Sequence, residues 1–337
     1  MIDLRSDTGT LPTDEMREVM KNAVVGDDGR GTDPTVAKLE ELSAEIFGKE
    51  AALFCNSGTM ANIVAVLTHV KRGERIGIDP NSHIYSSETS IFMEDYFGRK
   101  AEFYRANSMG RPEMSDVRNL IERRQIQLLC FENTLGFYGG TCLTAEELAD
   151  YCFEAQKHNI PVHLDGARIF NAAVHLNEKV SELTKSVDTV MYCLSKGLGA
   201  PVGSVLCGSK EFITQARKTR KALGGNMRQS GIVAAAGIIA LQDADRLKDD
   251  HSHAQMLFKA IAHNPLIRIN DASIQTNIIK IDISTSGMNL REFVNGLKKE
   301  GVLVKEVDGQ HIRLVLHKDI STVHVGEAAD SINRFLK

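Results

Sequence analysis

Short apolar runs alternate with helical patterns through the first two thirds of the chain. AALF at 51–54 leads into NSGTM and then ANIVAVLTHV, where Met60, Ile63, Val64 and Leu67 fall on one helical face. RIGID (75–79), IQLLCF (126–131), IPVHLD (160–165), TVMYCLS (189–195) and GSVLCG (203–208) are predicted as buried strands. Thr144 followed by Glu147 is a capping-box start for a helix to about His158. Strands interleaved with helices predict βαβ units and a mainly parallel sheet covered on both faces.

The texture changes near Gln242. DADRLKDDHSHAQMLFKAIAH predicts a long amphipathic helix, and NIIKIDI (277–283) a strand. A helix over 289–299, strands at 302–306 and 311–316 and a last helix over 323–336 complete the pattern. The expected organisation is a large domain over 1–245, with the N-terminal segment, and a smaller C-terminal α/β domain over 246–337.

At 337 residues the chain can bury a large core. Its net charge of -4 is spread along the length, which argues against nucleic-acid or membrane-surface partners. No apolar run reaches the ~18 residues of a membrane span. MIDLRSDTGT has neither the basic nor the apolar region of a signal peptide, so a cytoplasmic location is expected. The six cysteines form no CxxC and no zinc-like group with histidine; they are expected to be reduced and packed, with no metal bound.

Four segments carry candidate chemistry. In MYCLSKGLGAPVGS, Lys196 has no charged neighbour between Asp188 and Lys210, and three glycines lie close by. An amine at a strand end can form an imine with an aldehyde, and the glycines would let the backbone approach a bound ring. The plainer reading is a lysine whose stem packs while its head reaches water. In VHLDGARIFNA, Asp165 at a strand end could hold a protonated pyridine nitrogen, and the fork of Arg168 a substrate carboxylate; the two could equally satisfy each other as a salt bridge. In NSGTMAN, Ser57, Gly58 and Thr59 form either a phosphate seat at a helix N-terminus or a simple N-cap. In NSHIYSSE, His83 could stack on a flat ring or move a proton, although a lone histidine there is more often structural.

The order phosphate seat, histidine, aspartate, lysine, each after a predicted strand, suits a ligand at strand carboxyl ends. From MIDLRSDTGT through SGTMAN, ENT, HLDGARIFNA and LSKGLGAPVGS to RKALGGNMRQSG, and again at HIRLVLHKDI, the chain resembles the low-specificity L-threonine aldolases of the β-eliminating lyase group. That resemblance implies the α/β, aspartate-aminotransferase-like fold with pyridoxal 5'-phosphate as cofactor. It implies that Lys196 links to the cofactor aldehyde, Asp165 pairs with the ring nitrogen, His83 stacks on the ring, and Gly58 and Thr59 grip the phosphate. Ser6, Arg168 and Arg313 would take the carboxylate of an amino-acid substrate. Arg228 would reach a cofactor phosphate across the interface of a homodimer or homotetramer with shared sites. The implied reaction is cleavage of threonine or another L-β-hydroxy-α-amino acid to glycine and an aldehyde.

Three positions depart from the family pattern. Leu135 follows ENT where a histidine is usual, Arg30 stands where an aromatic residue is usual, and ETSIFME lacks the small-residue run after His83. Arg30 could recognise an extra anionic group or pair with Asp27 or Asp28. These departures keep β-elimination, racemisation or transamination open as alternatives. A catalytically weak scaffolding paralogue is a further reading, disfavoured because all the cofactor residues are present. A nicotinamide enzyme is excluded by the absence of a G-x-G-x-x-G after an early strand.

Overall fold

The computed structural model describes residues 1–123 and 126–337. Its strands in chain order are β1 (Ile2–Asp3), β2 (Ala51–Cys55), β3 (Arg75–Ile78), β4 (Lys100–Phe103), β5 (Leu128–Glu132), β6 (Val162–Asp165), β7 (Thr189–Cys193), β8 (Ser204–Gly208), β9 (Ile278–Asp282), β10 (Val302–Leu303), β11 (Lys305–Asp308) and β12 (His311–Val315). Seven of them form one sheet in the order β2–β8–β7–β6–β5–β3–β4. Only β8 runs against its neighbours.

The apolar runs without alternation have their physical reason here. Ala52 and Phe54 of β2, Val190 and Tyr192 of β7, and Val205 and Cys207 of β8 enter one apolar cluster, while Leu53, Met191 and Leu206 between them enter another. Successive side chains point to opposite faces of a sheet, and both faces are covered. β4 escaped the sequence reading: KAEF is a polar edge strand with no fully buried residue. The helix after Thr144 spans Ala145–Gln156, and its capping box is formed as expected, with the Thr144 side chain and Glu147 serving each other's backbone N–H groups.

The C-terminal part has its own apolar cluster, built from β9, β12 and the helices Leu247–Ile261, Leu290–Lys299 and Thr322–Phe335. β11–β12–β9 form an antiparallel sheet. The single strand expected over 302–306 is two: Val302 and Leu303 pair with β1, and Lys305 onward pairs with β12. The buried Val304 stands between them, at the point where the chain changes sheets. The long helix expected from 243 begins at Leu247, after a short turn over Ala244–Arg246. Arg246 binds the Gly197 carbonyl and the Asp250 carboxylate, so the turn anchors the helix beside Lys196. The start of the chain is shared: Leu4 lies in the C-terminal cluster, and residues 7–10 run on to the large sheet. Among the described residues no helix is long and apolar enough to cross a membrane.

Candidate active site

The carboxyl ends of β2, β5, β6 and β7 lie along one edge of the large sheet, and the segments leaving them converge there. Two adjoining cavities of about 310 and 230 Å³ open at this edge and share Thr8, His83, Asp165, Ala167 and Lys196. Gly58 and Thr59 line the smaller; Ser6, Arg168 and Arg313 line the larger. Eight of the residues singled out from the sequence therefore surround one space.

Asp165 ends β6 and is 2% exposed. Its Oδ1 accepts the Ala167 N–H at 3.0 Å and its Oδ2 accepts Asn62 Nδ2 at 2.9 Å. It does not pair with Arg168. Arg168 sends Nε and Nη2 to Asp7 at 2.8 and 2.6 Å, with Asp7 fully buried. Burial alone would raise the Asp7 carboxyl, but the Arg168 guanidinium holds it well below the usual carboxylate range, and the same contact raises Arg168. One edge of the fork, Nε and Nη2, is thus held by a carboxylate of the chain in a bidentate pair, while no hydrogen bond engages Nη1 among the described residues and Arg168 still lines the larger cavity.

Arg313, on β12, differs. It lines the larger cavity, and its buried Nε has no hydrogen-bond partner among the described residues. Burial, then the nearby Arg168 charge, pushes it down to about 10. A buried cationic donor without a partner is costly unless a ligand completes it.

Lys196 follows β7, and its carbonyl accepts the Thr10 hydroxyl at 3.0 Å. No hydrogen bond or ion pair engages its Nζ among the described residues, although it lines both cavities. A Cβ at Gly197, Gly199 or Gly203 would lie 2.9, 2.9 or 2.5 Å from atoms of Leu247, Lys318 or Phe54, so these glycines let the loop pack closely on the rest of the chain.

Ser57 caps the helix Gly58–His69, its hydroxyl accepting the Met60 N–H at 3.1 Å. That satisfies the N-cap reading for the side chain, and Ser57 does not line either cavity. The amides of Gly58 and Thr59 are beyond reach of intrahelical acceptors and remain for an anion. A Cβ on Gly58 would meet Cys193 Sγ at 2.8 Å, so only glycine lets this helix start so close to β7.

His83 Nδ1 lies 3.1 Å from Oε1 of the buried Glu88, and this hydrogen bond raises the imidazole above its ordinary value against the opposing effect of burial. Glu132, at the end of β5, accepts the backbone N–H groups of His83 and Gly136, both at 2.8 Å. Burial and the neighbouring Asp165 push Glu132 upward. Asp7, Asn62, Glu88 and Glu132 were not singled out from the sequence. Asp7 and Asn62 act through Arg168 and Asp165, 161 and 103 positions away, and Glu132 through the His83 N–H, 49 away; Glu88 meets His83 five positions off, within the same NSHIYSSE stretch.

Other expectations fare differently. Arg228 lies outside the cavities of its own chain, exposed, with Nη1 on Asp27 at 3.1 Å. Arg30 also pairs with Asp27, at 3.5 Å, with its side chain 81% exposed. Leu135 is turned into the apolar cluster with Phe131 and Tyr104; Phe137 and Thr134 line the cavity instead.

With this geometry in place, the comparisons decide the family. The model of the beta-eliminating lyases matches residues 3–284. The chain belongs to this family. Among curated relatives it is 42% identical to the probable low-specificity L-threonine aldolase 2 of Arabidopsis thaliana, over 96% of this chain and 94% of that protein. It is 37% identical to the low specificity L-threonine aldolase of Escherichia coli strain K12, over 100% and 99% of the two chains. Among solved structures, the Leishmania major threonine aldolase superposes over the full length of both chains with a TM-score of 0.85 at 18% identity. A serine palmitoyltransferase of Sphingomonas wittichii reaches 0.78 at 17% identity over 99% of this chain and 86% of that one. These likenesses show the expected α/β fold for this lyase chain.

Proposed function

We propose that this chain is a pyridoxal-phosphate-dependent aldolase that cleaves L-threonine, L-allo-threonine or a related L-β-hydroxy-α-amino acid to glycine and an aldehyde. One observation carries the reading: an amine without a partner (Lys196), a buried carboxylate (Asp165) and the free amides of Gly58 and Thr59 border the same space. The three groups are complementary to the aldehyde, ring nitrogen and phosphate of that cofactor. The unpartnered Arg313 Nε and the room kept by Gly58 support the same fit.

When bound, pyridoxal phosphate supplies the aldehyde for attachment of an amine and the ring that accepts the electron pair of the breaking Cα–Cβ bond. The chain's residues do the rest. Lys196 would offer its amine, and Asp165 would accept the ring N–H and favour the protonated ring. Gly58 and Thr59 would donate backbone N–H groups to the phosphate, with Ser57 holding the helix end. Arg313 and the free edge of Arg168, whose other edge is tied to Asp7, would bind the substrate carboxylate, with Ser6 beside them. His83 would cover the ring and take the β-hydroxyl proton, with Glu88 supporting its charged form. Leu135, a buried hydrocarbon side chain, has no atom that could take that proton.

The same reading includes the division near residue 245, so that Arg313 of the small domain faces Lys196 of the large one. It includes a homodimer or homotetramer in which the exposed Arg228 completes a partner's site, and a cytoplasmic location, supported by six free, buried cysteines. The test is to supply L-threonine, L-allo-threonine and other β-hydroxy amino acids and measure glycine and aldehyde. Lys196→Ala is expected to abolish both products. Pyruvate with ammonia, or pyridoxamine phosphate, in place of an aldehyde would replace the aldolase by another reaction of the same cofactor.

A further inference from the structure

Asp165 stands at the end of a buried hydrogen-bonded chain. Asn62 donates Nδ2 to Asp165 at 2.9 Å and to Glu88 Oε1 at 3.2 Å. Asn62 Oδ1 lies 3.1 Å from His163 Nε2, His163 Nδ1 lies 3.0 Å from Thr189 Oγ1, and Thr189 Oγ1 lies 3.0 Å from His69 Nε2. Asn62, His163 and Thr189 are all buried; His69 is half-buried and stacks on Phe212.

The chemistry of the links leaves one proton arrangement. A carboxylate only accepts, so the amide nitrogen of Asn62 must face Asp165 and its oxygen must face His163. His163 must therefore carry hydrogen on Nε2. Burial pushes His163 down to about 4, against Asp165 and the Thr189 backbone, so near neutral pH the ring is uncharged, and with its hydrogen on Nε2 the Nδ1 is an acceptor. The Thr189 hydroxyl then donates to Nδ1 and accepts from Nε2–H of His69. Burial brings His69 down to about 3, so it too is neutral. Every donor points toward Asp165.

We propose that His163 is a positioning residue: through Asn62 it keeps Asp165 aimed and ready to accept the ring N–H of pyridoxal phosphate, while Thr189 and His69 fix its tautomer. This rests on the reading of Asp165 given above. The network costs little once fully satisfied, and a break in it leaves a buried polar atom unpaired.

Nitrogen-15 NMR of the histidine-labelled full chain, with and without pyridoxal phosphate, is the first test. It is expected to show His163 as the Nε2–H tautomer with unprotonated Nδ1 between about pH 6 and pH 8. A hydrogen on Nδ1, or a charged ring in that range, overturns the proposal. The second test compares His163→Phe, which fills the space without donors, with His163→Gln, which returns an N–H near Nε2. His163→Phe is expected to weaken pyridoxal phosphate binding at least about tenfold, the size of a lost hydrogen bond to a charged group, and to change the pH dependence of the bound cofactor's absorption. His163→Gln is expected to restore most of both. Unchanged affinity and spectrum in His163→Phe also overturn the proposal, and if that variant does not fold the tautomer decides. Failure of the unsubstituted chain to take up pyridoxal phosphate would instead sink the functional reading, and this proposal with it.

Discussion

His83 and Glu88 illustrate how one contact sets a residue's chemistry. The hydrogen bond that His83 donates to Glu88 raises the imidazole, so the charged form persists to higher pH than for a free histidine. If His83 takes the β-hydroxyl proton, it must be neutral, and the acid limb of the kcat/KM profile reports that ionisation. Glu88→Gln removes the charge that favours imidazolium, so the limb is expected to move to lower pH; an unmoved limb would take the base role from His83. Asp7 and Arg168 form the other decisive pair. The folded-state value of Asp7 lies below its unfolded one, so its contribution is complete above about pH 4 and declines as the pH falls below that. Asp7→Asn leaves Arg168 buried without its counter-charge and is expected to cost roughly 3–5 kcal/mol in urea unfolding near pH 7. The gap from the unsubstituted chain should narrow as the pH is lowered toward about 3.

At the scale of elements, the helix Gly58–His69 is set against β7 by the missing side chain at Gly58. A methyl there would meet Cys193 Sγ at 2.8 Å, so Gly58→Ala is expected to weaken phosphate and cofactor binding by displacing the helix start. Adding Cys193→Ala, which removes the clashing sulfur, is expected to recover part of the affinity in a direct titration. The large sheet was legible in the sequence because strands covered on both faces must be apolar throughout, as in TVMYC and SVLCG. β4 was not, because KAEF at the edge is under no such demand. The split between β10 and β11 was hidden for a related reason: VLVKEV reads as one run, and only the pairing of Val302 with Ile2 and of Lys305 with Arg313 divides it. In the site, Lys196, Asp165 and Gly58 stood out because they interrupt apolar runs at strand ends. Asp7 could not be matched to Arg168, since 161 positions separate them. The glycines after Lys196 pack against Leu247, Lys318 and Phe54, contacts that no sequence pattern reveals.

Across the whole molecule, the first ten residues tie the C-terminal layer to the site. β1 pairs with β10, Leu4 bonds to both Leu303 and Val315, Asp7 holds Arg168, and Thr10 reaches the Lys196 carbonyl. The exposed Arg228 contributes nothing to its own cavity, which fits a site completed by a second copy. In that arrangement, mixing Lys196→Ala and Arg228→Ala chains after mild dissociation should regenerate one intact site per hybrid dimer, roughly a quarter of full activity; no recovery would make each site self-sufficient. All of these parts converge on the amine that has no partner. The most direct measurement is borohydride reduction of the chain loaded with pyridoxal phosphate, followed by peptide mapping. The account predicts one stable secondary-amine link, on Lys196; a link on another lysine, or none, would contradict it.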